Sequence, residues 1–179
     1  MRIISGFLKG RRFNPPKNFK ARPTTDTARE SLFNILNNTI EYDQIKVLDL
    51  FSGTGAVTYE FVSRGVKEIT SVEKNYNHYK FIKKTIEQLK IDNYVKTVKL
   101  DVFKFLKNES TEKFDLIFAD PPFEMENFEL LPDSIFLSNL LNPDALVIIE
   151  HGPDKDFSNN NNFKDRREYG KVNFSFFSL

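Results

Sequence analysis

The chain has 179 residues, of which 26 are lysine or arginine, 25 are aspartate or glutamate, and none is cysteine. This length predicts one domain, with a small appendage at most, that can bury a proper core. The lack of cysteine excludes a disulfide framework, a thiol nucleophile and a cysteine metal site, and it favours a reducing, cytoplasmic location. The first residues form no apolar signal core and the apolar run 145–149 is too short to cross a bilayer, so no membrane partner is expected.

The basic residues are concentrated at the start of the chain. The formal net charge is +1, but residues 1–25 carry a charge of +7 and the remaining 154 residues carry −6. This asymmetry predicts a polyanion-binding arm on a mildly acidic body, with a solvated basic tail as the alternative. The seven basic residues are Arg2, Lys9, Arg11, Arg12, Lys17, Lys20 and Arg22.

Glycines and prolines punctuate this basic segment. Gly6 and Gly10 stand where a tight reversal needs a positive φ, and two prolines at 15 and 16 end any strand pairing, so a small hairpin is predicted. Its exposed basic surface would include Phe7 and Phe13, a mixture suited to phosphates and unstacked bases. Apolar residues at helical spacing then predict a helix from about residue 27 to about residue 37.

The next stretch reads as a strand, a glycine turn and a helix. Residues 46–51 form an apolar strand, Ser52-Gly53-Thr54-Gly55 turns the chain, and residues 56–63 form a helix that Gly65 ends. Such a turn lets a ligand contact backbone N–H groups at the amino terminus of a helix. A dinucleotide-binding fingerprint would need glycine or alanine where Thr58 stands. Asp49 precedes the glycines and is well placed for an ammonium group.

Acidic residues follow the next two predicted strands. Glu73 ends the strand 68–73, and an acid at this point can hold both ribose hydroxyls of an adenosine. A helix over residues 75–90 comes next, with Tyr79 among its buried residues. Asp101 closes the strand 95–100 and could accept the adenine amino group. Four acids close strands at one edge of the predicted sheet: Asp49, Glu73, Asp101 and Asp120. A single acid at a strand end is more often a turn former than a ligand, but four at the same edge indicate a binding site.

The loop after the fourth predicted strand carries the most specific chemistry. An apolar strand over residues 115–119 ends in Asp120-Pro121-Pro122-Phe123, and the two prolines make this loop stiff. The Asp120 carboxylate and a main-chain carbonyl, that of Pro121, can each accept one N–H, while Phe123 stacks on a ring. This arrangement fits the exocyclic amine of a nucleobase. An ordinary strand end with a proline turn is the alternative.

The rest of the chain predicts the second half of a sheet. A helix near residues 133–140, a strand at 145–150 and a closing antiparallel hairpin over residues 166–177 are expected. His78 and His151 are isolated from other ligands and are interpreted as structural, so no metal site is predicted. We expect residues 1–45 to form a hairpin and helix extension that binds RNA and caps the site, and residues 46–179 to form the main domain.

These motifs resemble those of class I S-adenosylmethionine-dependent methyltransferases. The run from Asp49 to Gly55 is similar to the first motif of that superfamily, and Asp120-Pro121-Pro122-Phe123 is similar to its amino-methylating signature. The resemblance implies S-adenosylmethionine as cofactor and a Rossmann-like α/β fold with a seven-stranded sheet whose last strand is antiparallel. It implies catalytic roles for Asp120, Pro121, Pro122 and Phe123, and cofactor contacts from Asp49, Phe51, Ser52, Gly53, Thr54, Gly55, Glu73, Lys74, Asp101 and Val102.

A narrower resemblance covers nearly the whole chain. Residues 2–6, 9–11, 22–26 and 29–36 resemble the RsmD family, which comprises bacterial 16S ribosomal RNA guanine-N2 methyltransferases. The resemblance implies methyl transfer to a guanine of the small ribosomal subunit and RNA binding by the basic arm. A monomer is expected, although the sequence carries no signal for the oligomeric state. Phe123 stands where the family usually has tyrosine, so stacking is retained and a phenolic hydroxyl is lost. The alternatives are an amino methyltransferase acting on DNA adenine N6 or another amine, and a noncatalytic RNA-binding factor with this fold.

Overall fold

A seven-stranded sheet forms the centre of the protein. The computed structural model describes residues 1–16, 19, 26–108 and 111–179. The strands are β1 (Lys46–Leu50), β2 (Glu68–Val72), β3 (Val95–Val98), β4 (Phe114–Ala119), β5 (Leu141–His151), β6 (Phe163–Tyr169) and β7 (Val172–Phe177). The helices are α1 (Asp26–Leu36), α2 (Ala56–Arg64), α3 (Tyr76–Leu89), α4 (Val102–Leu106) and α5 (Leu131–Leu137).

The topology of the sheet determines where a ligand can bind. The strands lie in the order β3-β2-β1-β4-β5-β7-β6. Strands β1 to β5 pair in parallel, whereas β7 is antiparallel to both β5 and β6, which confirms the predicted α/β class and the antiparallel last strand. The chain moves outward from β1 to β3 and then returns to place β4 on the other side of β1. Ligands bind outside the carboxyl ends of the strands at such a reversal of strand order.

Both faces of the sheet are covered, as continuously apolar strands require. In β4, Leu116 and Phe118 belong to one apolar cluster and Ile117 belongs to the other, because successive side chains of a strand point to opposite faces. The first cluster includes residues of α1, α2 and α3, and the second includes residues of α4 and α5. Every residue of α2 from Ala56 to Ser63 is buried. The glycine turn that precedes α2 therefore stands on a tightly packed helix.

The amino-terminal segment, residues 1–16, packs against this core. The predicted hairpin consists of a single antiparallel bridge between Arg2 and Arg12. Phe7 is 64% exposed, but Phe13 lies in the first apolar cluster, with its ring edge-on to Tyr59 at 5.0 Å. The expectation that Phe13 belongs to the exposed basic surface was therefore wrong, since burying the ring removes more apolar area from water. The division at residue 45 stays a proposal.

Several other predicted elements are shifted in the structure. β3 ends at Val98 rather than residue 100, and the sequence analysis did not predict the short helix α4 that follows. α5 begins two residues earlier than expected, and β5 begins four residues earlier. Tyr79 of α3 is only half-buried. α3 itself begins as expected, because the Asn75 side chain accepts hydrogen bonds from two backbone N–H groups of its first turn.

Candidate functional site

The turn between β1 and α2 has a backbone shape that glycine makes accessible. Gly53 and Gly55 adopt φ values of 54° and 78°, and Phe51 also has a positive φ of 59°. A Cβ at Gly55 would lie 2.5 Å from the buried ring of Tyr59, so alanine does not fit there. Gly55 is the N-cap of α2, and its N–H donates to the Ser52 carbonyl at 2.7 Å. The turn presents the first N–H groups of α2, which lack partners within the helix and attract negative or polar ligand atoms.

Glu73 links this turn to the end of β2. One carboxylate oxygen accepts the Gly53 N–H at 2.8 Å, and the other accepts the Asn75 N–H at 2.6 Å. The residue is 8% exposed. A carboxylate has about four acceptor positions, so both oxygens keep capacity for a ligand hydroxyl. The structure thus places Glu73 beside the glycine turn, where the sequence analysis expected a ribose-binding acid.

Asp49 lies inside β1 rather than at its end, which corrects the expectation that this residue closes the strand. Its side chain is buried, and one carboxylate oxygen accepts a hydrogen bond from the Thr58 hydroxyl of α2. Burial raises the pKa of Asp49 to about 7, and the hydrogen bond from Thr58 offsets this only in part. The enclosed carboxylate ties β1 to α2 beneath the turn, and the ammonium contact expected for it remains a proposal.

Asp101 also differs from its expected setting, because two residues separate it from the end of β3. It is the N-cap of α4, and one carboxylate oxygen accepts the Lys104 N–H at 3.3 Å. The other oxygen lies 3.0 Å from the Lys74 ammonium. Burial acts to raise the pKa of Asp101, but the Lys74 ammonium and the backbone amides outweigh it and lower the pKa. An adenine amine at this point would share the Asp101 carboxylate with Lys74. The next residue, Val102, is buried.

The Asp120 loop lies directly beside the glycine turn. The register pairs Leu50 of β1 with Ala119 of β4, and the Asp120 N–H continues this pairing to the Leu50 carbonyl at 3.3 Å. Pro121 is buried. The Pro122 carbonyl accepts the Met125 N–H at 2.9 Å, so it is used in closing the loop. The Pro121 carbonyl is therefore the one that we expect to face a substrate amine.

Phe123, the last residue of the Asp120 loop, contacts the segment that follows β5. Its ring lies against the segment after β5, since a Cβ at Gly152 would be 3.6 Å from the ring. The Gly152 carbonyl is 2.8 Å from Nδ1 of the buried His151, and Nε2 of that ring is 2.8 Å from the Ser175 hydroxyl. Burial lowers the pKa of His151, which favours the neutral ring. These two contacts fit the interpretation of His151 as structural, and they fix the segment that lies beside Phe123.

Two buried polar residues of α2 hold the amino-terminal segment, and the sequence analysis did not find them. The Glu60 carboxylate accepts the N–H groups of Ile4 and Ser5 at 2.8 and 3.0 Å. Ser63 accepts the Phe7 N–H on its carbonyl at 2.9 Å and the Leu8 N–H on its hydroxyl at 3.0 Å. The only available signal was the presence of polar residues on a helix that is otherwise apolar on every side.

The basic residues of the segment lie at the surface. Lys9, Arg11 and Arg12 are exposed, and Arg2 is exposed beside Asp26 at 3.4 Å. Lys17, Lys20 and Arg22 lie outside the described residues. Phe19 is described, and its ring packs against His78 and Phe81 of α3 at centroid distances of 4.4 and 5.4 Å.

Within residues 1–16, 19, 26–108 and 111–179, no three histidine, aspartate or glutamate side chains are grouped in a way that could hold a metal ion. No helix in the same ranges has both the length and the apolar character needed to cross a membrane.

Comparison with known proteins identifies the family. A family model described as "Conserved hypothetical protein 95" matches residues 1–178. The chain belongs to this family. A member from Haemophilus influenzae, named Ribosomal RNA small subunit methyltransferase D, is 32% identical over 157 residues, which cover 87% of this chain and 80% of the relative. The resemblance to the RsmD family is thereby confirmed.

Solved structures agree with this assignment. A hypothetical protein of Thermus thermophilus superposes with a TM-score of 0.85 and 26% identity, covering 100% of this chain and 99% of that one. Coclaurine N-methyltransferase, solved with N-methylheliamine and SAH, gives a TM-score of 0.55 and 27% identity over 72% of this chain and 36% of that one. The family's fold is therefore that of the methyltransferases.

Proposed function

We propose that this protein transfers the methyl group of S-adenosylmethionine to the exocyclic N2 amine of a guanine in 16S ribosomal RNA. The observation that carries the proposal is the contact between two strand ends: the Asp120 N–H donates to the Leu50 carbonyl at 3.3 Å, so the Asp120 loop lies beside the glycine turn. Membership of a family that includes a named small-subunit ribosomal RNA methyltransferase supports the choice of RNA.

The residues present fit the proposed cofactor. A side chain at Gly55 would collide with Tyr59, so glycine is what lets the turn keep the shape that opens the first N–H groups of α2 to a ligand. The proposed contacts are the N–H groups of the turn from Phe51 to Gly55 for the methionine part, Glu73 for the ribose and the Lys74, Asp101 and Val102 group for the adenine. S-adenosylmethionine supplies an electrophilic methyl group on its sulfonium.

Asp120 and its neighbours orient the amine. The lone pair of a guanine amine is delocalised into the ring, so the group is a poor nucleophile. With one N–H bonded to the Asp120 carboxylate and the other to the Pro121 carbonyl, the lone pair is directed toward the methyl group. Alignment of this kind can lower a barrier by about 7–11 kcal/mol. After transfer, the amine must lose a proton, which the Asp120 carboxylate accepts in this proposal.

Phe123 fixes the plane of the base. A base that stacks on an aromatic ring gains roughly 1–3 kcal/mol. The target guanine must be flipped out of a duplex or already unpaired to reach this ring. A Cβ at Gly152 would lie 3.6 Å from the Phe123 ring, so the segment after β5 supports that ring.

The amino-terminal segment binds the RNA around the target. The exposed Lys9, Arg11 and Arg12 are held on a segment that Glu60 and Ser63 fix to α2. Lys17, Lys20 and Arg22 belong to the same proposed arm. The segment therefore carries positive charge at a fixed position relative to the cofactor turn. We also propose that the protein acts as a cytoplasmic monomer.

The function can be tested with the purified protein and labelled S-adenosylmethionine. Small ribosomal subunits that lack the modification, naked 16S ribosomal RNA and duplex DNA are incubated in parallel, and labelled nucleosides are identified by mass spectrometry. N2-methylguanosine at one site supports the proposal. Methyladenine in DNA would establish the rival amino methyltransferase, and cofactor binding without transfer to any of the three would favour a noncatalytic RNA-binding factor.

Asp120→Ala separates catalysis from binding. The variant should lose turnover while its dissociation constant for the cofactor stays within a few-fold of the unmodified protein, because Asp120 contacts the amine and not the cofactor in this proposal. Isothermal titration with S-adenosylhomocysteine measures the dissociation constant. A large loss of cofactor binding would show that the site is placed wrongly.

A further inference from the structure

An exposed tyrosine and two lysines form a cluster that the proposed function does not use. Tyr76, at the start of α3, is 55% exposed. The Lys80 ammonium lies 5.4 Å from the centre of its ring and the Lys99 ammonium lies 5.0 Å from it. Lys80 belongs to the next turn of α3, whereas Lys99 comes from the segment after β3. We call these three residues the Tyr76 cluster.

The two lysines of the Tyr76 cluster differ from those lysines of the fold that are paired with acids. Lys46, Lys96 and Lys155 each have a carboxylate within 4.0 Å. Within the described part of the chain, neither Lys80 nor Lys99 has an acid at that distance. Two like charges beside one ring repel each other, and a cation over an exposed ring gains only about 0.5–1 kcal/mol. An anion placed between them would relieve that repulsion.

Basic charge continues from the cluster to the amino-terminal segment. Lys83 and Lys84 are exposed one turn beyond Lys80 on the same helix. At the far end of α3 the Arg11 guanidinium is 3.5 Å from the Gln88 carbonyl, and near its start Phe19 contacts Phe81. α3 thus bridges the proposed RNA-binding segment and the Tyr76 cluster.

We propose that the Tyr76 cluster is a second contact for the substrate RNA, at which an unpaired base stacks on Tyr76 and adjacent phosphates bind Lys80 and Lys99. This inference depends on the proposed function. Stacked aromatic rings with flanking cations are how proteins bind single-stranded RNA, since every base has a face to stack and every linkage carries a charge. The cluster lies near the carboxyl ends of β2 and β3, at the same edge of the sheet as Asp120, so one RNA can reach both.

Substitutions in the cluster give distinct expected results. Tyr76→Leu should weaken RNA binding roughly tenfold by removing the stacking face, and Tyr76→Phe should restore most of that loss. Lys80→Ala and Lys99→Ala should each reduce the dependence of log affinity on log salt concentration by roughly 0.7, the value for one contact with a single strand. Lys96→Ala, at the opposite end of β3, is the matched control and should leave both quantities unchanged.

The readouts distinguish failure of this inference from failure of the proposed function. RNA dissociation constants are measured on the RNA or subunit that the unmodified protein methylates, and cofactor dissociation constants are measured in parallel. If the unmodified protein methylates no RNA, the proposed function fails. If it does so and Tyr76→Leu binds that RNA as well as Lys96→Ala does, the Tyr76 cluster is not an RNA contact. Equal weakening of cofactor binding by Tyr76→Leu would also overturn the inference.

Discussion

Gly6 and Gly10 allow a matched test of how the amino-terminal segment is fixed to α2. Both have left-handed backbone geometry, with φ values of 79° and 83°. A Cβ at Gly10 would meet nothing within 4 Å, whereas a Cβ at Gly6 would overlap the Ser63 carbonyl and lie 2.7 Å from the Ser63 hydroxyl oxygen. Ser63 belongs to a buried helix and cannot retreat. Gly6→Ala must therefore lift the segment from α2, and Gly10→Ala need not.

The expected magnitudes follow from these contacts. Alanine in left-handed geometry costs about 1–2 kcal/mol, which is the whole cost at Gly10. At Gly6 the substitution also breaks the bonds from the Phe7 and Leu8 N–H groups to Ser63, which measure 2.9 and 3.0 Å. Each such bond contributes about 1 kcal/mol. We expect Gly6→Ala to lower the free energy of unfolding by about 3–4 kcal/mol, roughly 2 more than Gly10→Ala.

Urea denaturation measures the difference, with the midpoint compared at constant slope. RNA and cofactor dissociation constants are measured on the folded variants. Gly6→Ala should weaken RNA binding more than cofactor binding, because it frees the basic residues from their fixed position. Equal losses of stability in Gly6→Ala and Gly10→Ala would refute the steric reasoning, and unchanged RNA binding in a destabilised Gly6→Ala would remove the segment from the proposed RNA surface.

Two further predictions concern the cofactor turn. Burial raises the pKa of Asp49 to about 7. Between about pH 4 and pH 7 the folded protein therefore holds a proton on Asp49 that the unfolded chain has released. The free energy of unfolding should fall by up to about 1.4 kcal/mol per pH unit over this range and then level off. Asp49→Asn should flatten this dependence of the free energy of unfolding on pH, as measured by urea denaturation at several pH values. An equal pH dependence in the variant and the unmodified protein would contradict the raised pKa of Asp49. Gly55→Ala should weaken S-adenosylhomocysteine binding in isothermal titration by at least roughly tenfold, since its Cβ overlaps Tyr59 and distorts the turn; unchanged affinity would show that the turn does not bind the cofactor.

The sequence was sufficient to predict the local features of the site. A strand, a glycine turn and a helix follow each other within about twenty residues, so the signals for β1, Gly53, Gly55 and α2 are contiguous in the chain. The same is true of β4 and the Asp120 loop, where two prolines fix the end of the strand. The parallel pairing of β1 with β4 brings the glycine turn and the Asp120 loop together, and it follows from the usual strand order of doubly wound α/β sheets.

Features that depend on distant contacts could not be predicted. Glu60 and Ser63 resemble ordinary polar positions of a helix until a segment about 55 residues away is placed on them. Phe13 looked like part of an exposed basic surface because its partner, Tyr59, is equally remote in sequence. α4 was missed because five residues give little periodicity, and its clearest signal, the capping residue Asp101, was interpreted as a ligand.

The anchoring of the amino-terminal segment also determines the order of folding during synthesis. Its hydrogen bonds to α2 span 55 to 58 positions, so these bonds cannot form until α2 has been made. At about 5–20 residues per second, that interval lasts roughly 3–10 seconds on the ribosome. Ile3, Leu8 and Phe13 are exposed apolar surface during this time. A nascent chain therefore fixes this basic surface in place only after the glycine turn and α2 have been made.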